Sequence, residues 1–293
     1  GQREARGLGS GFIIDADGTI VTNNHVIDGA EEITVVMDDG SELNATLVGH
    51  DPKTDVAVLK VESDEPLPTV PWGDSDRIDV GDWVVAIGNP FGLGGTVTSG
   101  IVSARGRDLN AGPYDDFIQV DAAINRGNSG GPLFDTDGRV VGMNTAIFSP
   151  NGGNIGLGFA VPANQAKAIV AEILEKGSVE RGFIGVRIQP VTPDIAESLG
   201  LTSGGGALVA DVDPQGPAGR AGLKAGDVIL RFADTAIDEV RDLTRAVADT
   251  DPGDSANMTV WRDGTGRDLS VTVGNYPREE QVASASSAGP GDR

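Results

Sequence analysis

The sequence predicts a mainly β protein in two domains. Three observations carry that prediction. Short runs rich in Val, Ile and Thr recur every 8–12 residues with turn residues between them. No helical periodicity interrupts these runs over the first 160 residues. A change of rhythm then follows an amphipathic segment near residues 162–177, and 293 residues allow two ordinary domains.

The first half contains the runs GFIID, TIVTN, EEITVVM, LNATLVG and VAVLKV, separated by ADG, DDG and DPKTD. WVVAIG, GTVTSGIVSA, FIQVDAAI and GRVVGMNTAIF continue the series. Close spacing without crossover helices points to barrels or sandwiches rather than a parallel sheet. PANQAKAIVAEILEKG is the first convincing helix. Pro162 stands near its start, Ile169, Val170, Ile173 and Leu174 are expected on one face, and Lys176-Gly177 is a stop. The domain boundary falls there, giving residues 1–177 and 178–276. In the second domain FIGVRI, GALVADV, DVILRF, ANMTVW and DLSVTV read as strands. A short helix is capped by Thr192 with Pro193 at its first position, and a second runs roughly from Asp238 to Ala248. Residues 277–293 are polar, small and Pro/Gly-containing, as expected of a linker or disordered tail.

Composition narrows the function classes. A net charge of −22 repels phosphate backbones and anionic headgroups, so neither nucleic acid nor a membrane surface is an expected partner. No cysteine is present, which removes disulfides and thiolate chemistry and fits a compartment such as the periplasm. Two separated histidines and scattered carboxylates do not spell a metal site, and no cofactor is expected. No signal peptide is visible, and the opening GQREARGLGSGF reads as the continuation of something longer.

The chemistry concentrates in AINRGNSGGPLF, residues 123–134. A serine among glycines is either a turn or a nucleophile. G-x-S-x-G fits the elbow of α/β-hydrolases, but that triad needs a histidine after the serine, and both histidines, His25 and His50, precede Ser129. The order His, Asp, Ser of chymotrypsin-type peptidases is available. His25 closes an apolar run, Asp55 opens one, and Ser129 lies in the second β-rich half. An imidazole takes the serine proton, a carboxylate fixes the imidazole tautomer, and backbone N–H groups of Gly127 and Ser129, flanking Asn128, are placed to receive the oxyanion. His50 is the competing base, in what reads as an exposed turn, and Asp51 and Asp121 are competing carboxylates.

TNNHVI, DPKTDVAVLK, AAINRGNSGGPL and NTAIFSPNGGNIGLGFAVP together resemble the HtrA/DegP family of serine endoproteases, and the second domain, with FIGV and GPAGRAGLKAGDVIL, resembles a PDZ domain of that family. The resemblance spans roughly Gly9 to Val273. It implies a chymotrypsin-like double β-barrel followed by a β-sandwich-like PDZ domain with two helices. It also implies an ATP-independent protease of unfolded or damaged proteins, with His25, Asp55 and Ser129 as catalytic residues. It places a shallow apolar specificity pocket at Ile124 and Ile147 and a state-sensing arginine at Arg107. Phe183, Ile184, Gly185 and Val186 become a carboxylate-binding loop and strand, with Leu243 and Val247 on the opposite groove wall. The expected partners are unfolded polypeptides and peptide C-termini. The full-length protein is expected to form a trimer-based homo-oligomer, through contacts largely preceding GSGF. The competing reading is a proteolytically silent chaperone or adaptor, which would be expected to have lost a triad member.

Overall fold

Alternating burial is what builds the first sheet. In VAVLKV, Val56 and Val58 face one buried cluster while Ala57, Leu59 and Val61 face another, so this strand is apolar on both sides and must lie inside. The computed structural model describes residues 7–89, 94–109, 111–150, 153–201 and 204–276. The chain divides into two units, Gly1–Val179 and Glu180–Arg293.

In the first unit β1 (Phe12–Asp15), β2 (Thr19–Thr22), β3 (Ile33–Val36), β4 (Glu42–Asp51) and β5 (Val56–Val61) form an antiparallel sheet in the order β1-β2-β5-β4-β3. Its outer strands β1 and β3 do not pair with each other among the described residues. β6 (Trp83–Gly88), β7 (Thr96–Arg107), β8 (Phe117–Val120), β9 (Pro132–Phe134), β10 (Val140–Ile147) and β11 (Gly158–Pro162) close into a barrel in the order β10-β11-β8-β7-β6-β9. A short helix, α1 (Asn24–Ile27), follows β2 directly.

Helix α2 (Ala163–Lys176) ends on Gly177 in the left-handed conformation, as a helix stop of this kind requires. Its buried residues are Ala163, Ala166, Val170 and Ile173, spaced three and four apart. Leu174, expected on that face, is instead 49% exposed, because it falls one position past Ile173 and rotates off the stripe. Val170 and Ile173 join Phe12, Val21, Val56, Val58, Met143 and Val161 in one core, so the helix seals sheet and barrel together. Gly49 of β4 makes the helix's close approach possible, since a Cβ there would run into the Gly177 carbonyl and the Ile173 side chain.

The second unit contains β12 (Gly182–Phe183), β13 (Val186–Pro190), α3 (Pro193–Ser198), β14 (Ala207–Val212), α4 (Pro217–Arg220), β15 (Val228–Phe232), β16 (Thr235–Ala236), α5 (Val240–Ala248), β17 (Ser255–Arg262), β18 (Thr265–Thr272) and β19 (Gly274–Asn275). Its main sheet runs β13-β14-β15-β17-β18, with β16 on β15, and β12 pairs with β19. The Thr192 hydroxyl accepts from the Ile195 N–H, capping α3. Glu239 and Asp242 form a reciprocal capping box on α5. α4 is a third helix absent from the two-helix expectation. Its four residues, PAGR, are too few to show a period.

Candidate active site

The sheet and the barrel each bring part of the site. His25 sits in α1, one turn beyond β2, and Asp55 occupies the residue before β5. Because β2 and β5 are neighbours in the sheet, the two side chains meet. Nδ1 of His25 lies 2.6 Å from Oδ2 of Asp55, and the His25 backbone N–H donates to Oδ1 at 2.8 Å. The carboxylate therefore grips the histidine at two points. Asp55 itself has φ +58°, a left-handed conformation uncommon for a residue with a side chain. Its carbonyl accepts from the Asn24 N–H at 3.1 Å and the Asn23 side-chain amide at 2.8 Å. The His25 side chain is half exposed and the Asp55 side chain 23% exposed, which leaves the far edge of the ring open to solvent.

Ser129 lies in the turn leading to β9. Gly130, with φ +85°, packs against Ser10, Thr22 and Asn23 so closely that a Cβ there would strike the Ser10 carbonyl and the Thr22 hydroxyl. The serine turn is thus seated on the segment that ends two residues before His25. Ser10 stitches it in place: its N–H donates to the Ser129 carbonyl at 2.8 Å and its hydroxyl to the Gly127 carbonyl at 2.7 Å. The Ser129 hydroxyl donates to the Thr145 carbonyl at 3.2 Å and not to His25.

The candidate oxyanion donors sort themselves by what they already bind. The Asn128 N–H is committed to the Asn125 carbonyl at 3.0 Å, so Asn128 is not a donor in this geometry. Among the described residues the N–H groups of Gly127 and Ser129 donate to no other group. The competitors are also accounted for. His50 belongs to β4 rather than a turn, paired opposite Ala57, and its Nδ1 lies 2.5 Å from Asn24 Oδ1. Asp51 is buried and caps its own turn through the Thr54 and Lys53 N–H groups. Asp121 accepts the Ile101 N–H at 2.7 Å.

Ile124 and Ile147 pack in the same barrel cluster, but Ile124 is 1% exposed and only Ile147 presents surface. Arg107 is the last residue of β7 rather than a loop residue, and its Nε donates to Gln119 Oε1 at 2.8 Å. In the second unit Phe183 ends β12, Val186 begins β13, and Ile184-Gly185 joins them. Gly185 has φ +76°, and among the described residues the N–H groups of Ile184 and Gly185 donate to no other group, while their carbonyls accept from the Ala218 and Asp213 N–H groups. Leu243 and Val247 are buried in one core with Ile184, because α5 turns its apolar stripe inward. Val240 and Thr244 of the same helix are partly buried. Ser10, Asn23 and Thr145 were not singled out in the sequence. Only the place of Ser10 within GSGF and the closeness of Asn23 to His25 hint at them.

Comparison with known proteins agrees with this architecture. The trypsin-like peptidase domain family matches residues 9–143, and the PDZ domain family matches residues 182–273. The chain is 57% identical over 273 residues to a protein of Brucella suis named probable periplasmic serine endoprotease DegP-like, covering 93% of this chain and 53% of that protein. A protein of the same name from Halomonas elongata is 52% identical, with 97% and 60% covered. The chain thus spans little more than half the length of the curated relatives it matches. Among solved structures it resembles the HtrA-type protease AlgW with a decapeptide, with a TM-score of 0.86, 49% identity, and 92% and 83% of the two chains covered. The serine endoprotease from Yersinia pestis has a TM-score of 0.76 and 38% identity, with 94% and 92% covered.

Proposed function

Because the chain belongs to the HtrA-type family of serine proteases, we propose that it is an ATP-independent endopeptidase in which Ser129 is the nucleophile, His25 the general base and Asp55 the residue that orients it. The observation that carries this reading is the two-point grip of Asp55 on His25 beside a serine whose turn holds two uncommitted N–H groups. Nδ1–H donated to Asp55 leaves Nε2 with its lone pair, the tautomer that accepts the serine proton. Ser129 leaves the Thr145 carbonyl, attacks the peptide carbonyl carbon, and passes its proton to Nε2. The oxyanion is met by the Gly127 and Ser129 N–H groups, each such donor being worth about 3 kcal/mol in the transition state. The imidazolium protonates the departing amine. Water then repeats the sequence on the acyl-enzyme, with His25 again the base.

Unfolded or damaged polypeptides are the proposed substrates, and Ile147 with the underlying Ile124 supports a preference for small or branched apolar side chains before the scissile bond. The free N–H groups of Ile184 and Gly185 support capture of a peptide's C-terminal carboxylate by the PDZ unit, the peptide adding as a strand along β13. The relatives' names support a periplasmic location, and a trimer-based assembly is proposed for the full-length protein. Arg107 is proposed to sense the state of the site. The silent-chaperone reading requires a broken triad, and His25, Asp55 and Ser129 are all present. A fluorophosphonate probe followed by peptide mapping tests the central claim. Labelling is expected at Ser129 and absent from Ser129→Ala and His25→Ala. Labelling that persists in Ser129→Ala would refute the assignment.

A further inference from the structure

Asn23 stands at the N-cap of α1, where an asparagine ordinarily turns its side chain back onto the helix N–H groups. It does not do so here: the side chain makes no capping bond. Asn23 is instead fully buried, and its amide reaches away from the helix. Nδ2 donates to the Asp55 carbonyl at 2.8 Å and to Thr145 Oγ1 at 3.1 Å. A carbonyl only accepts, so the nitrogen must face Asp55 and the amide orientation is fixed. The Thr145 hydroxyl donates its own proton to the Met143 carbonyl at 2.9 Å and therefore meets Asn23 with a lone pair. The remaining Asn23 atom, Oδ1, is buried with no hydrogen-bond partner. A buried acceptor left unpaired costs stability, and so does φ +58° at Asp55, the residue Asn23 holds.

We propose that Asn23 is a positioning residue of the hydrolytic site, its carboxamide fixing the span between the His25–Asp55 pair in the sheet and the Thr145 segment of the barrel on which the Ser129 hydroxyl rests. This rests on the triad reading given above. The two partners of Nδ2 belong to the two halves of the site: Asp55 grips His25, and the Thr145 carbonyl receives Ser129 Oγ. One planar amide thus spans the junction with two hydrogen bonds, and it touches neither substrate nor reacting atoms. Displacements of about 1 Å in such a span cost on the order of a hundredfold in rate.

The test combines two positions. Asn23→Ala removes both bonds, and kcat on an unfolded protein substrate is expected to fall about a hundredfold with little change in KM. Thr145→Val keeps the side chain's shape but removes the hydroxyl, with an expected loss of about tenfold in kcat. Thr145→Ser restores the hydroxyl and is expected to return activity to near wild type. Fluorophosphonate inactivation rates should follow the same order. Unchanged kcat in folded Asn23→Ala, a loss confined to KM, or Thr145→Ser as impaired as Thr145→Val would each overturn the proposal. If Asn23→Ala does not fold, the Thr145 pair decides. If wild type itself is never labelled, the triad reading falls separately, and crystal structures judge the positioning role. Asp55 retaining its left-handed backbone and its contact to His25 in Asn23→Ala, with Thr145 unmoved, would refute it; loss of either, or a shift of Thr145, would sustain it.

Discussion

Asp55→Asn is the substitution for which the geometry makes the sharpest demand. Asparagine nearly matches aspartate in size and is among the residues that best tolerate φ +58°, so the turn before β5 should be undisturbed. The electrostatics reverse at one atom. The His25 backbone N–H donates to Oδ1 at 2.8 Å, and a backbone N–H can do nothing else. The asparagine oxygen must therefore face it, which turns the new NH2 group toward Nδ1, 2.6 Å away in the native pair. Two donors cannot share that contact, so Nδ1 becomes the acceptor and the ring proton moves to Nε2. The base then has no lone pair on the side that must take the serine proton. Loss of the useful tautomer in a triad of this kind costs about ten-thousandfold in kcat, or about 5.5 kcal/mol of transition-state stabilisation. Asp55→Gly is the control: glycine is relaxed at this φ and leaves the ring free to choose its tautomer, so its loss should not exceed that of the asparagine variant. The assay is kcat/KM on an unfolded substrate, with thermal midpoints to confirm that the variants are folded. An asparagine variant that keeps more than about a tenth of wild-type activity, where about ten-thousandfold loss is expected, would refute the reasoning.

Three further outcomes are expected. Arg262→Met should destabilise the second unit by about 3–5 kcal/mol, because Asp227, 1% exposed, would lose the two 2.6 Å bonds from Arg262 and remain a buried charge; urea unfolding followed by Trp261 fluorescence reads this, and a change under about 1 kcal/mol would contradict it. Asp249, an exposed residue at the C-cap of α5, has its carboxyl raised above the ordinary 3.8 by partial desolvation, against the pull of Arg245 and Arg181. A raised carboxyl contributes stability below 3.8 that is lost as pH rises through the folded value, so Asp249→Asn should add a few tenths of a kcal/mol at pH 7 and nothing at pH 3. Finally, isothermal titration with apolar-ended peptides should show that amidating the terminus weakens binding by about 1.5–3 kcal/mol, while equal binding of acid and amide would remove the Ile184-Gly185 loop from carboxylate recognition.

Much of the architecture was legible because it is written in period-two burial, and VAVLKV shows why: each face of the strand meets its own core. The His–Asp pairing was legible from order, since β2 and β5 are neighbours and place the residues after and before them side by side. What escaped was local or tertiary. α1 and α4 are four residues each, shorter than any period can register. His50 read as a turn because Asp and Pro follow it, yet β4 continues through Asp51. Leu243 and Val247 were recognised as one stripe, but a stripe does not say whether it faces a ligand or the core. Beyond the closeness of Asn23 to His25, nothing in the sequence links Asn23 with Thr145, because they meet only when sheet and barrel pack.

The edge strand β13 has a consequence for solubility as much as for recognition. An open sheet edge accepts any extended chain, including the same edge of another copy, and long flat edges seed aggregates. β13 is five residues long, carries Arg187 and Gln189 facing solvent, has an irregular register between Arg187 and Ile188, and ends on Pro190, which has no N–H to offer. At about 3.4 Å per residue the edge is under 20 Å long. A guest strand finds a few hydrogen bonds near Val186 and then runs out of partners. Such an edge has room for a short chain end and gives little to a long β-prone segment, so an open edge of this kind offers no template for growth.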